Sequence, residues 1–178
     1  MFWFPLIAAL PAAFGPGDGG APPIAVWHAV AVIGISESGK ILSCVDETEG
    51  GPPAGLGDPC VSFEGETPPP MLEGLGGAGA ARRVTIEMAM AVDSEPRPAL
   101  RYHQASQLPN ALASARFDVS AKGKTQNCRK LDTGAERWTV KLPSLCSVVR
   151  PSYAPPVDAR GGARRAKATF TIAFSTAR

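Results

Sequence analysis

The chain has 178 residues, a formal net charge of +2 and 44% hydrophobic residues. So even a balance argues against a nucleic-acid footprint spread over the whole chain. Gly and Pro together make up 37 of the 178 residues (19 and 18), short of the roughly 25–30% that marks low complexity, so the chain is loop-rich rather than disordered.

Phe2 to Phe14 (FWFPLIAALPAAF) is apolar and runs straight into Gly15-Pro16-Gly17. Interrupted by Pro5 and Pro11, it is too short to span a bilayer. It fits the apolar region of a secretory signal, with Ala12-Ala13 near a cleavage point, which makes residues 1–22 a signal peptide and flexible N-terminus. No Lys or Arg precedes it, so the alternative is a merely greasy N-terminus.

Ile24 to Ile35 is apolar and rich in β-branched residues, then turns at Ser36-Glu37-Ser38-Gly39-Lys40. The pattern predicts a strand, a hairpin and a return strand over Ile41 to Asp46 carrying Cys44. A Gly/Pro-rich loop follows over 47–57. Asp58-Pro59-Cys60 then carries the signals of a short helix start, with Asp as N-cap and Pro at the first position. Gly74 to Gly79 lacks the strand-to-helix frame and trailing Lys of a phosphate loop and reads as plain loop. Val84, Ile86, Met88, Met90 and Val92 occupy every second position, the period of a half-buried strand. Its methionines read as core filler.

Residues 93–111 read as linker and leading segment. Tyr102 and His103 there read as loop or packing residues. Beyond them the order repeats. Ala115 to Ser120 predicts a strand, Ala121 to Lys124 a turn, and Thr125 to Leu131 a return strand with Cys128. Ser144 stands where Asp58 did, as a second cap ahead of Cys146. Phe170, Ile172 and Phe174 alternate with Thr171, Ala173 and Ser175. The match runs at an offset of 84 from Gly39/Gly123 to Cys44/Cys128, and of 86 from Cys60/Cys146 through the last strands. A fixed offset of this kind marks an internal duplication. The expected fold is therefore α+β: two tandem β-β-α-β units, residues 23–92 and 112–178, each an antiparallel sheet with one short helix.

Units this small often need covalent staples. Cys44 with Cys60 and Cys128 with Cys146 would close loops of 16 and 18 positions, each worth about 3 kcal/mol in the chain-entropy model. Free buried thiols and a metal site are the alternatives. No CxxC is present, and neither His28 nor His103 has ligand-like spacing to a cysteine. Disulfides imply an oxidising compartment. The late basic residues Arg150, Arg160, Arg164, Arg165, Lys167 and Arg178 read as a solvated loop and strand edge, where charge discourages aggregation, with a dedicated anionic partner as the alternative.

The second copy resembles the C-terminal domain of TonB-family proteins. It has a strand ending in an Ala121-Lys122-Gly123-Lys124 turn, a second strand, Cys128 and Cys146, the turn Pro155-Pro156-Val157-Asp158-Ala159-Arg160-Gly161, and a last strand ending in Phe174. Cysteine-paired members of that family place one Cys on the second strand and one in the helix. The first copy keeps Leu56-Gly57-Asp58 where the family opens its helix. The resemblance implies a periplasmic domain that takes a partner peptide as an added strand, on an outer-membrane transporter, with Phe170, Thr171, Ile172, Ala173 and Phe174 as the candidate edge. A spanning helix and the long Pro-rich spacer of an energy transducer are not found in the sequence, which favours a duplicated binding or structural relative.

No nucleophile elbow, activated base or paired carboxylates stand out. The expectation is a binding protein and not an enzyme, with no catalytic, cofactor or metal residues. The alternatives are a small exported enzyme or inhibitor with a site in loops 46–58 and 93–115, or a purely structural envelope protein.

Overall fold

A computed structural model describes residues 21, 23–37, 40–49, 60, 82–93, 111–132, 144–147 and 149–177. The apolar N-terminal run, the Asp58 cap, the Gly74–Gly79 loop and most of the 93–111 linker, with Tyr102 and His103, lie outside them.

Six strands form: β1 (Trp27–Ile35), β2 (Ile41–Asp46), β3 (Arg82–Val92), β4 (Ala111–Val119), β5 (Thr125–Leu131) and β6 (Ala166–Ala177). All pair antiparallel in a single sheet of order β2-β1-β3-β6-β4-β5. This corrects the expected α+β fold. The two copies do not build separate sheets, and the helix expected in the second is one 3-10 turn, Leu145–Ser147. Ser144 caps that turn as expected: its hydroxyl accepts from the Cys146 N–H at 3.4 Å.

The reason for the merger is visible in the strand order. Taken alone, each copy would end on its longest strand, β3 or β6. Both strands are apolar on alternate residues, and an exposed edge of that kind is a template for pairing. Here the two edges satisfy each other, in the longest ladder of the sheet, from Arg83–Ala177 to Val92–Ala168.

The register also settles how the copies correspond. Trp27 opposes Met90, and 84 residues on Ala111 opposes Phe174. Ala31 opposes Asp46, and Ala115 opposes Lys130. One offset of 84 therefore relates all six strands, and Met88 opposite Ile172 marks the pseudo-twofold axis. The 86-residue offset read for the last strands is corrected. A slip of two residues leaves every side chain on its own face, so alternation cannot tell the two offsets apart.

One face carries the main core: Ile33, Val84, Ile86, Met88, Met90, Phe117, Val119, Phe170, Ile172 and Phe174, closed by Leu145 and Tyr153. Trp27 lies across Met90 from Phe170, with ring centroids 5.8 Å apart. The strand read as half-buried at Val84–Val92 is covered on both faces at its centre. Val30, Val32, Glu87, Ala89 and Ala173 on the opposite face are all buried. Glu87 is 1% exposed, and its Oε1 lies 3.7 Å from His28 Nε2 on β1.

Candidate functional site: two unlike sheet edges

A sheet of this order has two edges, β2 and β5, and they occupy equivalent places in the two copies. The strand expected to be an edge, Phe170 to Phe174, is not one. It lies inside β6, flanked by β3 and β4, with Thr171 opposite both Ala89 and Ser114. Its backbone pairs on both sides within the chain, and the Ser114 and Thr171 hydroxyls are bonded at 2.9 Å. Alternation marked it correctly as a strand, but position in a sheet depends on pairing between distant segments.

The two edges begin from matching turns. The Ser36 N–H donates to the Lys40 carbonyl at 2.8 Å, and the Ser36 hydroxyl accepts from the Lys40 N–H at 2.9 Å. In the second copy Ser120 and Lys124 repeat both bonds at 2.9 and 3.1 Å. Each following edge strand carries a bulge, opposite Gly34/Ile35 in β1 and opposite Arg116/Asp118 in β4. In β5 the bulge holds Asn127 at φ 52°, and its amide donates to Asp118 at 2.9 Å. Asn is among the few residues that tolerate that backbone.

Both disulfides formed as expected. Cys44 of β2 is joined to Cys60, and Cys128 of β5 to Cys146 in the 3-10 turn, with Cα separations of 5.4 and 5.7 Å. The staples fasten each edge strand to a segment on the core side. Cys60 and Leu145 are both buried, and the 3-10 turn packs against β4 and β5.

Beyond the staples the edges diverge. The β5 edge is partly closed by the chain itself. The Thr125 N–H donates to the Pro151 carbonyl at 3.0 Å, the Tyr153 N–H to the Gly123 carbonyl at 2.9 Å, and the Thr125 hydroxyl to the Arg150 carbonyl at 2.7 Å. Tyr153 anchors this strap by stacking on Phe117, centroids 5.9 Å apart. Burial pushes its phenol up to about 12, against a smaller opposing pull from Arg150. Gly123 makes the approach possible: it sits at φ +78°, and a Cβ there would lie 2.1 Å from the Tyr153 carbonyl oxygen. The rest of β5 carries Arg129 and Lys130. A charged, bulged, partly covered edge resists added strands.

The β2 edge shares the bulge but, among the described residues, lacks the strap and the paired basic side chains. Among the described residues no strand or strap pairs with its outer side. Its equivalents of Gln126 and Arg129 are Leu42 and Val45, which are 67% and 53% exposed. Sequence reasoning read Ile41–Asp46 as the return strand of a hairpin, and nothing in its residue order marks that strand as an edge of the sheet.

The strap continues into a turn centred on Asp158, whose Oδ1 accepts from the Arg160 and Gly162 N–H groups at 2.8 Å each. Those backbone donors hold its carboxyl below the usual range. Asp93, just past β3, joins the copies. Its Oδ1 accepts from the Lys167 N–H at 2.7 Å, and its Oδ2 pairs with Arg164. Partial burial works against ionisation of Asp93, but the Lys167 N–H and the Arg164 guanidinium outweigh it and lower the pKa. Beside it a cleft of about 260 Å³ is lined by Asp118, Gln126, Asn127, Arg165 and Lys167. Among the described residues no three His, Cys, Asp or Glu side chains converge as metal ligands, and no helix is long and apolar enough to cross a membrane.

No family model, curated protein or solved structure matches the chain.

Proposed function

We propose that the protein is an exported envelope protein that binds a protein or peptide partner by strand addition, and that β2 is the strand to which the partner adds. The observation that carries this reading is the contrast between the two equivalent edges: β5 is strapped and charged, whereas β2 is apolar and, among the described residues, unpaired on its outer side. An open apolar edge offers unpaired N–H and C=O groups for affinity, and alternate side chains for specificity. The TonB-like order of turns and cysteines points to a partner at the outer membrane, such as a transporter. The two disulfides and the apolar N-terminal run support a periplasmic setting.

The test is capture of partners from periplasmic and outer-membrane extracts on the full-length oxidised chain, followed by amide exchange of the recovered complex. Added-strand binding protects amides of Ile41–Asp46, and the double change L42K/V45K abolishes capture with the melting temperature unchanged. A recovered partner that leaves β2 exchange unaltered refutes the reading, as does failure to recover any envelope partner.

A further inference from the structure

The two copies place opposite chemistry at one equivalent point. In the first, Val32 faces Val45 across β1 and β2. At the 84-residue offset, Arg116 faces Arg129 across β4 and β5. Directly opposed residues in an antiparallel ladder hold their Cβ atoms about 4.5–5.5 Å apart, and like charges there repel. Arg116 is half-buried and Arg129 exposed. Among the described residues neither forms an ion pair.

Both side chains project from the face opposite the main core, because Ala115 and Phe117 on either side of Arg116 belong to that core. Lys167 shares the face: it lies two residues from Thr169, which opposes Arg116 in β6. Arg165 follows at the cleft. Among the described residues the acidic groups there are few. Asp118 opposes Lys167 and accepts from Asn127, and Asp93 is already held by Arg164 and the Lys167 N–H. Set against Asp118, the cations Arg116, Arg129, Lys167 and Arg165 leave a positive excess on one side of the second copy among the described residues.

We propose that Arg116 and Arg129, with Lys167 beside them, form a binding site for a phosphate monoester. Such a group carries about −1.5 to −2 charges at neutral pH and three acceptor oxygens. It therefore neutralises both guanidiniums at once, whereas a single carboxylate would satisfy one. The guanidinium fork matches phosphate oxygens in a way an ammonium does not. The apolar pair at the same place in the first copy makes this a property of the second copy alone.

The probes are glycerol 3-phosphate and vesicles containing phosphatidic acid, each compared at matched ionic strength with sodium chloride and with phosphatidylcholine vesicles. The protein is the full-length oxidised chain, read by calorimetric titration and by melting temperature. Saturable binding of glycerol 3-phosphate assigns the site to a soluble phosphate ester; binding confined to phosphatidic acid vesicles assigns it to a lipid headgroup. Either supports the site. R116Q and R129Q each weaken binding about tenfold, the scale of one charge-assisted hydrogen bond. K130Q, on the neighbouring residue but the other face of β5, leaves it unchanged. Without phosphate, R129Q melts no lower than wild type, because it removes a repulsion. The site is overturned if neither probe binds above its control, if the arginine variants bind as wild type does, or if R129Q melts lower without phosphate.

Discussion

Replacing Gly123 by Ala tests how the second edge is closed. The substitution acts twice: it places a side chain at φ +78°, and it sets a Cβ 2.1 Å from the Tyr153 carbonyl oxygen. The backbone term is about 1–2 kcal/mol for an L-residue in the left-handed region. The contact cannot be relieved by a rotamer change, because the opposing atom is backbone, so the strap must move. That forfeits the Tyr153 N–H bond to Gly123, about 1 kcal/mol net, and the Phe117–Tyr153 stacking, about 0.5–1.5 kcal/mol. The combined loss is about 3–4 kcal/mol, or about 10 °C in melting temperature for a chain of this size.

Gly161→Ala supplies the control. It has the same φ of +78° with nothing within 4 Å of the added Cβ, so it suffers only the backbone term, about 3–6 °C. Urea and thermal unfolding of the oxidised proteins give both shifts. A second readout is the phenol. Burial pushes the Tyr153 phenol up to about 12, and a released strap brings it back toward the ordinary value of about 10, visible by ultraviolet absorbance. Equal shifts for the two variants, with the Tyr153 titration unmoved, would refute the strap as the consequence of Gly123.

Removing the Cys128–Cys146 bridge by C128A/C146A costs about 3 kcal/mol for a loop of 18 positions, read by urea unfolding against the oxidised parent. Phe117→Ala, at a side chain with no exposed surface, costs about 3–5 kcal/mol; Leu42→Ser, at an edge position already mostly in water, stays within about 0.5 kcal/mol. The Asp93 carboxyl has a lowered folded-state pKa, so its contribution is present above the unfolded value and is lost as pH falls through the lower folded one. Asp93→Asn therefore lowers stability near neutral pH, and its stability falls less steeply than wild type's below about pH 4, measured by urea midpoints across that range.

Much of the local structure could be read from residue order. The serine–lysine turns, the strands at Ile41–Asp46 and Thr125–Leu131, the cysteine pairing and the Ser144 cap all depend on neighbours or on short loops. They were recoverable from period and spacing. The helix expected in the second copy was overestimated, since a cap marks where a turn starts but not how far it continues. At Leu145–Ser147 it stops after one 3-10 turn.

What the chain order determined by itself was the duplication, the alternating faces of its strands and the two staples, because each is a short-range regularity. Tertiary structure decided which strand meets which. It joined β3 to β6 along a pseudo-twofold axis, placed Phe170–Phe174 inside the sheet, chose the offset of 84 over 86, and strapped β5 while leaving the outer side of β2 unpaired among the described residues. It also set Arg116 opposite Arg129, a neighbourhood that no spacing along the chain announces. Alternation records only the face a residue points to. The edge, the register and the cross-strand neighbour come from pairing between segments far apart in sequence, and a two-residue slip preserves the first while changing all the others.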